Sequence, residues 1–395
     1  MRTSMKKVDR KTVRLFKKIA TILSPPPVLT VSQWADEYRR LSPEASAEPG
    51  RWNTDRAPYQ RAIMDAVNDA RCEDIIIMSS AQVGKTELIL NIIGYYIDYD
   101  PSPILALQPT LEMAQTFSKD RLAPMLRDTP ALKGKVKDAR SRDSGNTILH
   151  KTFPGGHITM VGANSAAGLA SRPIKVVLMD EVDRYPASAG TEGDPIKLAE
   201  KRTTTFWNRK KIKVSTPTIK GRSPIEKEFL TSSMEEWNVP CPCCGKYQPY
   251  EWGRIHFSDV TMECKFCLEH ISERDWKSNP GKWVAEKENN KKRGFHLNEL
   301  ASPWKHWEEI IEDFKEADRD RKQGDIEKLK TFVNTALGEP WEERGEAADD
   351  NVLLSRRERY NADLPDGVLL VTAGVDVQDD RFEVEITGWG KGYES

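Results

Sequence analysis

The stretch Ser79-Ser80-Ala81-Gln82-Val83-Gly84-Lys85-Thr86-Glu87-Leu88 decides the fold. It closes on Gly-Lys-Thr, the end of the G-x-x-x-x-G-K-[ST] phosphate loop, but its first glycine is replaced by Ser79. In such a loop the backbone N–H groups cradle phosphates, the lysine reaches the β and γ phosphates, and the hydroxyl holds magnesium. The first glycine only eases the turn out of the strand, so Ser79 is tolerated if its φ stays negative. Placement strengthens the reading. The apolar run Ile75–Met78 precedes the loop, and a helix-forming stretch from Thr86 to Tyr96 follows it and aims its N-terminus at an anion.

Working outward, further short apolar runs occur at Ile104–Leu107, Ile158–Val161, Val176–Met179 and Ile212–Val214, with helix-length stretches between several of them. This alternation predicts an α/β fold with a mostly parallel sheet covered on both faces. Ligands of such sheets bind beyond the carboxyl ends of the strands. Two other motifs begin where apolar runs end. Asp180 and Glu181 follow Val176–Met179 and have the character of a Walker-B pair, an aspartate for the metal and a glutamate to orient the attacking water. Ser215-Thr216-Pro217 follows Ile212–Val214, where hydroxyls can sense the γ-phosphate, although a plain turn gives the same letters. Upstream, Tyr59 and Gln60 suit adenine recognition by stacking and edge hydrogen bonds, and suit packing at a helix start equally well.

Composition adds limits. The 395 residues carry 60 Lys+Arg against 61 Asp+Glu, a net charge of -1, so any contact with nucleic acid must come from local patches. Arg209–Lys211, Lys291–Arg293 and Arg356-Arg357 are the basic clusters available, and each also reads as a solvated face. No apolar run is long enough to span a membrane, and the basic amphipathic start, Met1 to Lys18, lacks the apolar core of a signal peptide. A cytoplasmic protein is expected. Five of the six cysteines lie between Cys241 and Cys267. Cys241, Cys244, Cys264 and Cys267 have the C-x₂-C-x₁₉-C-x₂-C spacing of a zinc ribbon, leaving Cys243 spare and His270 as an outside substitute ligand.

The ordered set RWNTDRAPYQRAIMDAV, SSAQVGKTEL, GANSAAGLASRPIKVVLMDEVDRYP, KVSTPT and GVDVQ resembles the large terminase subunit of tailed bacteriophages, the lambda-like group above all. The resemblance runs from about Trp34 to the last residue. It implies a P-loop (ASCE-type) ATPase, fuelled by ATP and Mg²⁺, that pumps double-stranded DNA into a procapsid, and a C-terminal RNase H-like nuclease. Its partners would be the small terminase subunit, the portal protein and further copies in a ring, working in the host bacterial cytoplasm.

Carried over, Ser79, Ser80, Ala81, Gln82, Val83, Gly84, Lys85 and Thr86 form the phosphate loop, Tyr59 and Gln60 the adenine stretch, and Asp180 and Glu181 the Walker-B pair. Thr86 and Asp180 would hold magnesium, Ser215, Thr216 and Pro217 would couple hydrolysis to movement, and Asp376 would be the first nuclease metal ligand. Many relatives have arginine where this chain has Gln82, which leaves Arg172, Arg202 or a neighbouring subunit to supply the cationic finger.

The expected organisation is a basic helix and linker (1–40), the ATPase (41–235), a zinc-ribbon-like module (236–275), a helical linker (276–365) and the incomplete start of a nuclease (366–395). Two strands around a turn at Gln378-Asp379-Asp380 lack the further carboxylates of a two-metal nuclease, so no nuclease activity is expected of this chain alone. A superfamily-2-like helicase and a catalytically inactive prophage remnant are the competing readings; the helicase would need a second RecA-like domain.

Overall fold

A computed structural model describes residues 9, 11–16, 28–136, 146–169, 172–343, 364, 366–377 and 382–392. The chain divides into two compact units, Met1–Glu342 and Glu343–Ser395.

In chain order, the strands of the first unit are β1 (Arg40–Leu41), β2 (Gly50–Arg51), β3 (Asp74–Ser79), β4 (Pro103–Gln108), β5 (His150–Phe153), β6 (Gly156–Gly162), β7 (Val176–Asp180), β8 (Lys210–Ser215) and β9 (Glu235–Pro240). They continue with β10 (Tyr247–Pro249), β11 (Ile255–His256), β12 (Thr261–Glu263), β13 (His270–Ser272), β14 (Lys282–Ala285) and β15 (Lys292–Leu297). Ten of them form one sheet in the order β10-β9-β15-β3-β8-β7-β4-β6-β5, with β14 on β9. Pairing is parallel from β9 through to β6 and antiparallel only at β5, β10 and β14. The sheet is therefore mixed α/β and mostly parallel, as the apolar runs predict.

Alternation of side chains along the strands sorts the core into two layers. Ile75, Ile77, Ile104, Ala106, Val176, Leu178, Ile212 and Val214 face the helices Val31–Tyr38 and Lys85–Asp98. Ile76, Met78, Leu105, Leu107, Val177 and Met179 face the helices Pro195–Lys201 and Pro224–Leu230. Burial on both sides explains why these strands read as continuous apolar runs. One inward position on β8 is a lysine: Lys213 is 1% exposed and meets Glu200 at 2.6 Å, Glu228 at 2.9 Å and Asp74 at 3.5 Å.

Five strands of this sheet, β5, β9, β10, β14 and β15, do not follow from the apolar runs. β15, expected within a helical stretch, lies directly beside the phosphate-loop strand, pairing Lys292 with Asp74 through to Leu297 with Ser79. β9 extends the sheet beyond it. A third core ties this edge to the cysteine-bearing segment and to the helices Trp307–Lys322 and Glu327–Phe332; it contains Trp237, Tyr250, Met262, Trp276, Trp307 and Phe332 together with Val83 of the phosphate loop.

The second unit contains an antiparallel ribbon, β16 (Leu370–Val377) with β17 (Phe382–Trp389). The expected turn at Gln378-Asp379-Asp380 lies outside the described residues. Asp376 sits opposite Glu383. Asp376 is exposed. Val375, Val377, Phe382, Val384 and Ile386 are exposed as well. At the N-terminus, residues 11–16 are helical with Val13, Leu15 and Phe16 exposed, and the rest of the expected basic helix lies outside the described residues.

Candidate nucleotide site

The loop from Ser79 to Gly84 leaves β3 and enters the helix Lys85–Asp98, whose N-cap is Gly84 at φ +86°. A left-handed residue is required there, and glycine adopts it without a Cβ penalty. Ser79 keeps a negative φ, which removes the objection to a missing first glycine; Gln82 instead takes the left-handed conformation, at φ +57°. For a non-glycine residue this costs on the order of 1–3 kcal/mol and is characteristic of functional loops.

Two anchors hold the loop from behind. The Ser80 N–H donates to the Leu297 carbonyl of β15 at 2.9 Å, and the Ala81 N–H to the Thr335 carbonyl at 2.7 Å. Gly338, at φ +65°, approaches so closely that a Cβ there would lie 2.6 Å from the Ser80 nitrogen.

β8 runs between β3 and β7, so the end of β8 delivers its hydroxyls between the lysine of the loop and the acids of β7. Lys85 Nζ donates to Thr216 Oγ1 and stands 3.6 Å from Glu181 Oε1. Burial pushes the Lys85 ammonium below its ordinary pKa, partly offset by Glu181 and Asp180. Asp180 accepts from Gln108 Nε2 at 3.2 Å, and burial, reinforced by the neighbouring Glu181, pushes its carboxyl up to about 6. Glu181 itself lies at φ +53°, a left-handed turn at the strand end, with its side chain toward Lys85.

Asp183 was not singled out from sequence. Its carboxylate accepts from the Thr218 N–H at 2.9 Å, the Thr218 hydroxyl at 2.8 Å and the Ile225 N–H at 2.9 Å, while its own N–H donates to Ser215 Oγ at 3.2 Å. The turn after β7 is thereby fastened to the Ser-Thr-Pro-Thr segment. Pro217 lies in an adjoining cavity with Thr216, Thr218 and Thr331.

These groups open on a cavity of about 590 Å³ lined by Gln82, Gly84, Lys85, Thr86, Glu181 and Thr216. Gln60, Trp52 and Trp304 line it too, with Gln60 and Trp304 close beside Gly84. Gln60 Nε2 donates to the Val83 carbonyl at 3.1 Å, leaving a buried Oε1 without a partner. Such an orphaned acceptor is costly unless a ligand satisfies it, and Ser80 Oγ is orphaned in the same way. Tyr59 does not line the cavity. It is 1% exposed, donates its hydroxyl to the Val83 carbonyl and packs edge-on against Trp237. Its packing role is realised, and the aromatics at the cavity are Trp52 and Trp304, which sequence distance concealed.

Neither arginine considered from sequence reaches this cavity. Arg172 lies 3.3 Å from His150, and the Arg202 carbonyl accepts from Ile174. Arg121 and Arg184 line it instead; Arg184 Nε is 3.8 Å from Glu181 Oε2, and Arg121 Nη1 donates to the Ala45 carbonyl. The basic clusters are also committed. Arg209, Lys211 and Lys291 pair with Glu73 or Asp74, Lys210 donates to the carbonyls of Asp69 and Cys72, Lys292 pairs with Glu228, and Arg293 forms a bidentate pair with Glu235. Arg356-Arg357 lie outside the described residues.

The four expected cysteines converge. Cys241 Sγ is 3.7 Å from Cys267 Sγ, Cys244 Sγ is 3.8 Å from Cys264 Sγ, and all four lie within 4.8 Å of one another. Thiolates about 2.3 Å from a tetrahedral zinc are spaced by about 3.8 Å. The N–H groups of Cys243, Cys244 and Phe266 point at Cys241 and Cys264 sulfurs, as in paired knuckles. Cys243 is exposed and outside the cluster, and so is His270.

A family model described as phage terminase large subunit gpA, ATPase domain, matches residues 46–283, and one described as terminase large subunit gpA, endonuclease domain, matches residues 292–395. The second match begins on β15, which is hydrogen-bonded into the sheet of the first. The chain is 32% identical over 412 residues to the terminase large subunit of Enterobacteria phage P21, covering 95% of this chain and 63% of that protein. It is 30% identical over 428 residues to the terminase large subunit of Escherichia phage lambda, covering 100% of this chain and 66% of that protein. It thus spans slightly less than two thirds of the length of these relatives. The crystal structure of the HK97 bacteriophage large terminase shares the fold, with a TM-score of 0.50 at 14% identity over 92% of this chain and 68% of that one. With more than half of its length inside the gpA ATPase model, the chain belongs to the family of phage terminase large subunits.

Proposed function

We propose that this chain is the ATP-hydrolysing motor of a viral DNA-packaging machine, moving double-stranded DNA into a procapsid. The observation that carries this reading is the convergence of Lys85, Thr86, Asp180, Glu181 and Thr216 at the carboxyl ends of β3, β7 and β8, with an orphaned Gln60 acceptor beside Gly84 of the loop. In this reading the N–H groups of the loop and Lys85 hold the phosphates of ATP, and Gln60 Oε1 accepts from the adenine amine. Trp304, partly exposed at the cavity, supplies the aromatic face for the base. Thr86 and Asp180 would hold Mg²⁺, whose charge would stabilise the transferring phosphoryl group. Glu181 orients and deprotonates the attacking water.

Coupling follows from the contact between Lys85 and Thr216. A γ-phosphate competes for the same lysine, so its arrival and loss change what holds the Ser215-Thr216-Pro217 segment, and Asp183 passes that change to the turn after β7. Cys241, Cys244, Cys264 and Cys267 hold a structural Zn²⁺; four thiolates leave no open coordination position, which makes the module a brace rather than a catalyst. Asp376 contributes to a metal site of an RNase H-like nuclease, with Glu383 opposite it. The portal protein, the small terminase subunit and further copies of this chain in a ring are the partners, in the host cytoplasm. The domain limits follow the same reading, except that the ATPase sheet extends through β15.

Steady-state ATP hydrolysis by the chain, with and without double-stranded DNA, beside Lys85→Ala and Glu181→Gln, tests the proposal. Turnover abolished by both substitutions supports it. Turnover that survives Glu181→Gln would remove the assigned base and with it this mechanism.

A further inference from the structure

β11, β12 and β13 form a three-stranded antiparallel sheet whose two faces differ. Ile255 pairs with Met262 and Met262 with Ile271, and this apolar set packs into the core around Trp276. The alternate positions lie on the opposite face, where His256 pairs with Thr261 and Glu263 with His270. The result is a His, Glu and His group built across all three strands, with one ligating atom from each within 4.8 Å of the others.

The details suit a metal better than a solvated strand face. The two imidazole rings lie 3.8 Å apart at centroids, inclined by 53°, and His256 Nε2 is 3.9 Å from Glu263 Oε2. The other carboxylate oxygen, Glu263 Oε1, accepts from Arg254 Nη1 at 2.9 Å, which fixes the carboxylate and leaves Oε2 toward the histidines. Outer partners of this kind orient ligands in metal sites. Asp259 Oδ2 stands 4.0 Å from His270 Nδ1, and Thr261 Oγ1 3.4 Å from it. Donors about 2.1 Å from a tetrahedral ion are about 3.4 Å apart, so side-chain adjustments of well under a rotamer change close the group.

We propose that His256, Glu263 and His270 form a second metal site, distinct from the four cysteines, that takes a divalent first-row transition ion such as Zn²⁺ or Co²⁺. Two imidazoles and a carboxylate suit these ions, and water or Asp259 completes the coordination. Bound metal pins the two outer strands, β11 and β13, to the central strand β12. The site does not rest on the function proposed above.

The test is equilibrium dialysis of the untagged chain against micromolar Zn²⁺ or Co²⁺, with total bound metal measured per chain, beside the double variant His256→Asn/His270→Gln. The wild type is expected to retain one equivalent more than the double variant, whatever the occupancy of the cysteines. In Co²⁺ the extra equivalent shows ligand-field bands without thiolate charge-transfer bands, which separates it from metal held by sulfur. An unchanged sulfur-bound equivalent in the variant shows that the module remains folded. Equal metal content in wild type and variant, or an extra equivalent with a thiolate spectrum, overturns the site.

Discussion

Asp183 holds Thr218 twice, taking hydrogen bonds from its N–H at 2.9 Å and its hydroxyl at 2.8 Å, so the turn after one strand is tied to the turn after its neighbour. Asp183→Ala frees both donors and the Ile225 N–H. Nucleotide binding should survive, because no phosphate-loop contact is lost, while kcat falls on the order of 10²-fold through misplacement of Thr216 and Glu181. ATP affinity measured beside kcat checks this; a parallel loss of both would place Asp183 in binding instead.

Arg184 and Arg121 are the arginines lining the cavity, and of the two Arg184 is the one beside Glu181. A cationic finger contributes about 10³ to 10⁵ in rate. Arg184→Ala is expected to lower kcat within that range at nearly constant KM, and Arg121→Ala to have a small effect on kcat. The opposite ranking would assign the finger to Arg121, and two near-neutral variants would assign it to another subunit.

Lys213 is the buried cation among Glu200, Glu228 and Asp74. Burial works against its charge, yet the three carboxylates hold its pKa above the ordinary lysine value. Burial likewise pushes the Glu228 carboxyl up, but Lys213 and Lys292 outweigh it and bring it to about 2. Lys213→Met strands the carboxylates and should cost about 3–5 kcal/mol in denaturant unfolding. A depressed carboxylate stabilises the fold above its unfolded pKa of about 4.3, and that stability is lost as pH falls toward 2. The raised lysine contributes below its unfolded value of about 10.4 and loses that contribution as pH rises further. Wild-type stability should therefore drop at both extremes, and Lys213→Met should flatten the acid limb.

Asp180 has the opposite sign. Its folded pKa, about 6, lies above the ordinary aspartate value, so the metal-free protein gains stability from this group as pH falls through 6. In the proposed site, protons and Mg²⁺ would compete for the same carboxylate. Mg²⁺-dependent nucleotide affinity, followed by calorimetry, should weaken as pH drops from 7 to 5, and Asp180→Asn should remove that dependence along with most of the Mg²⁺ effect.

Much of this could be read from residues adjacent in sequence. Strands β3, β4, β6, β7 and β8 were legible because burial on both faces leaves unbroken apolar runs, and the cysteines because knuckle spacing is local. β15 was hidden: Lys-Arg-Gly-Phe-His-Leu shows no run, since Lys292 and Arg293 are satisfied at the start of the strand by Glu228 and Glu235. Tyr59 and Trp304 were not legible for a related reason. Whether an aromatic faces a cavity or a core depends on chain arriving from far away; Trp237 covers Tyr59, and Trp304 comes to the loop from more than two hundred positions downstream.

The anchors behind the phosphate loop have a consequence for how the molecule comes into being. Ser80 and Ala81 leave the ribosome long before Leu297 and Thr335, the residues that accept their N–H groups. Closing contacts of such sequence separation is slow, because the intervening chain must first be ordered. During synthesis the chain therefore carries its phosphate-loop letters without the two bonds that hold the loop from behind, until the segment beyond the cysteine module has folded back. A chain cut at residue 283 would leave both donors unpaired, a nascent state made permanent.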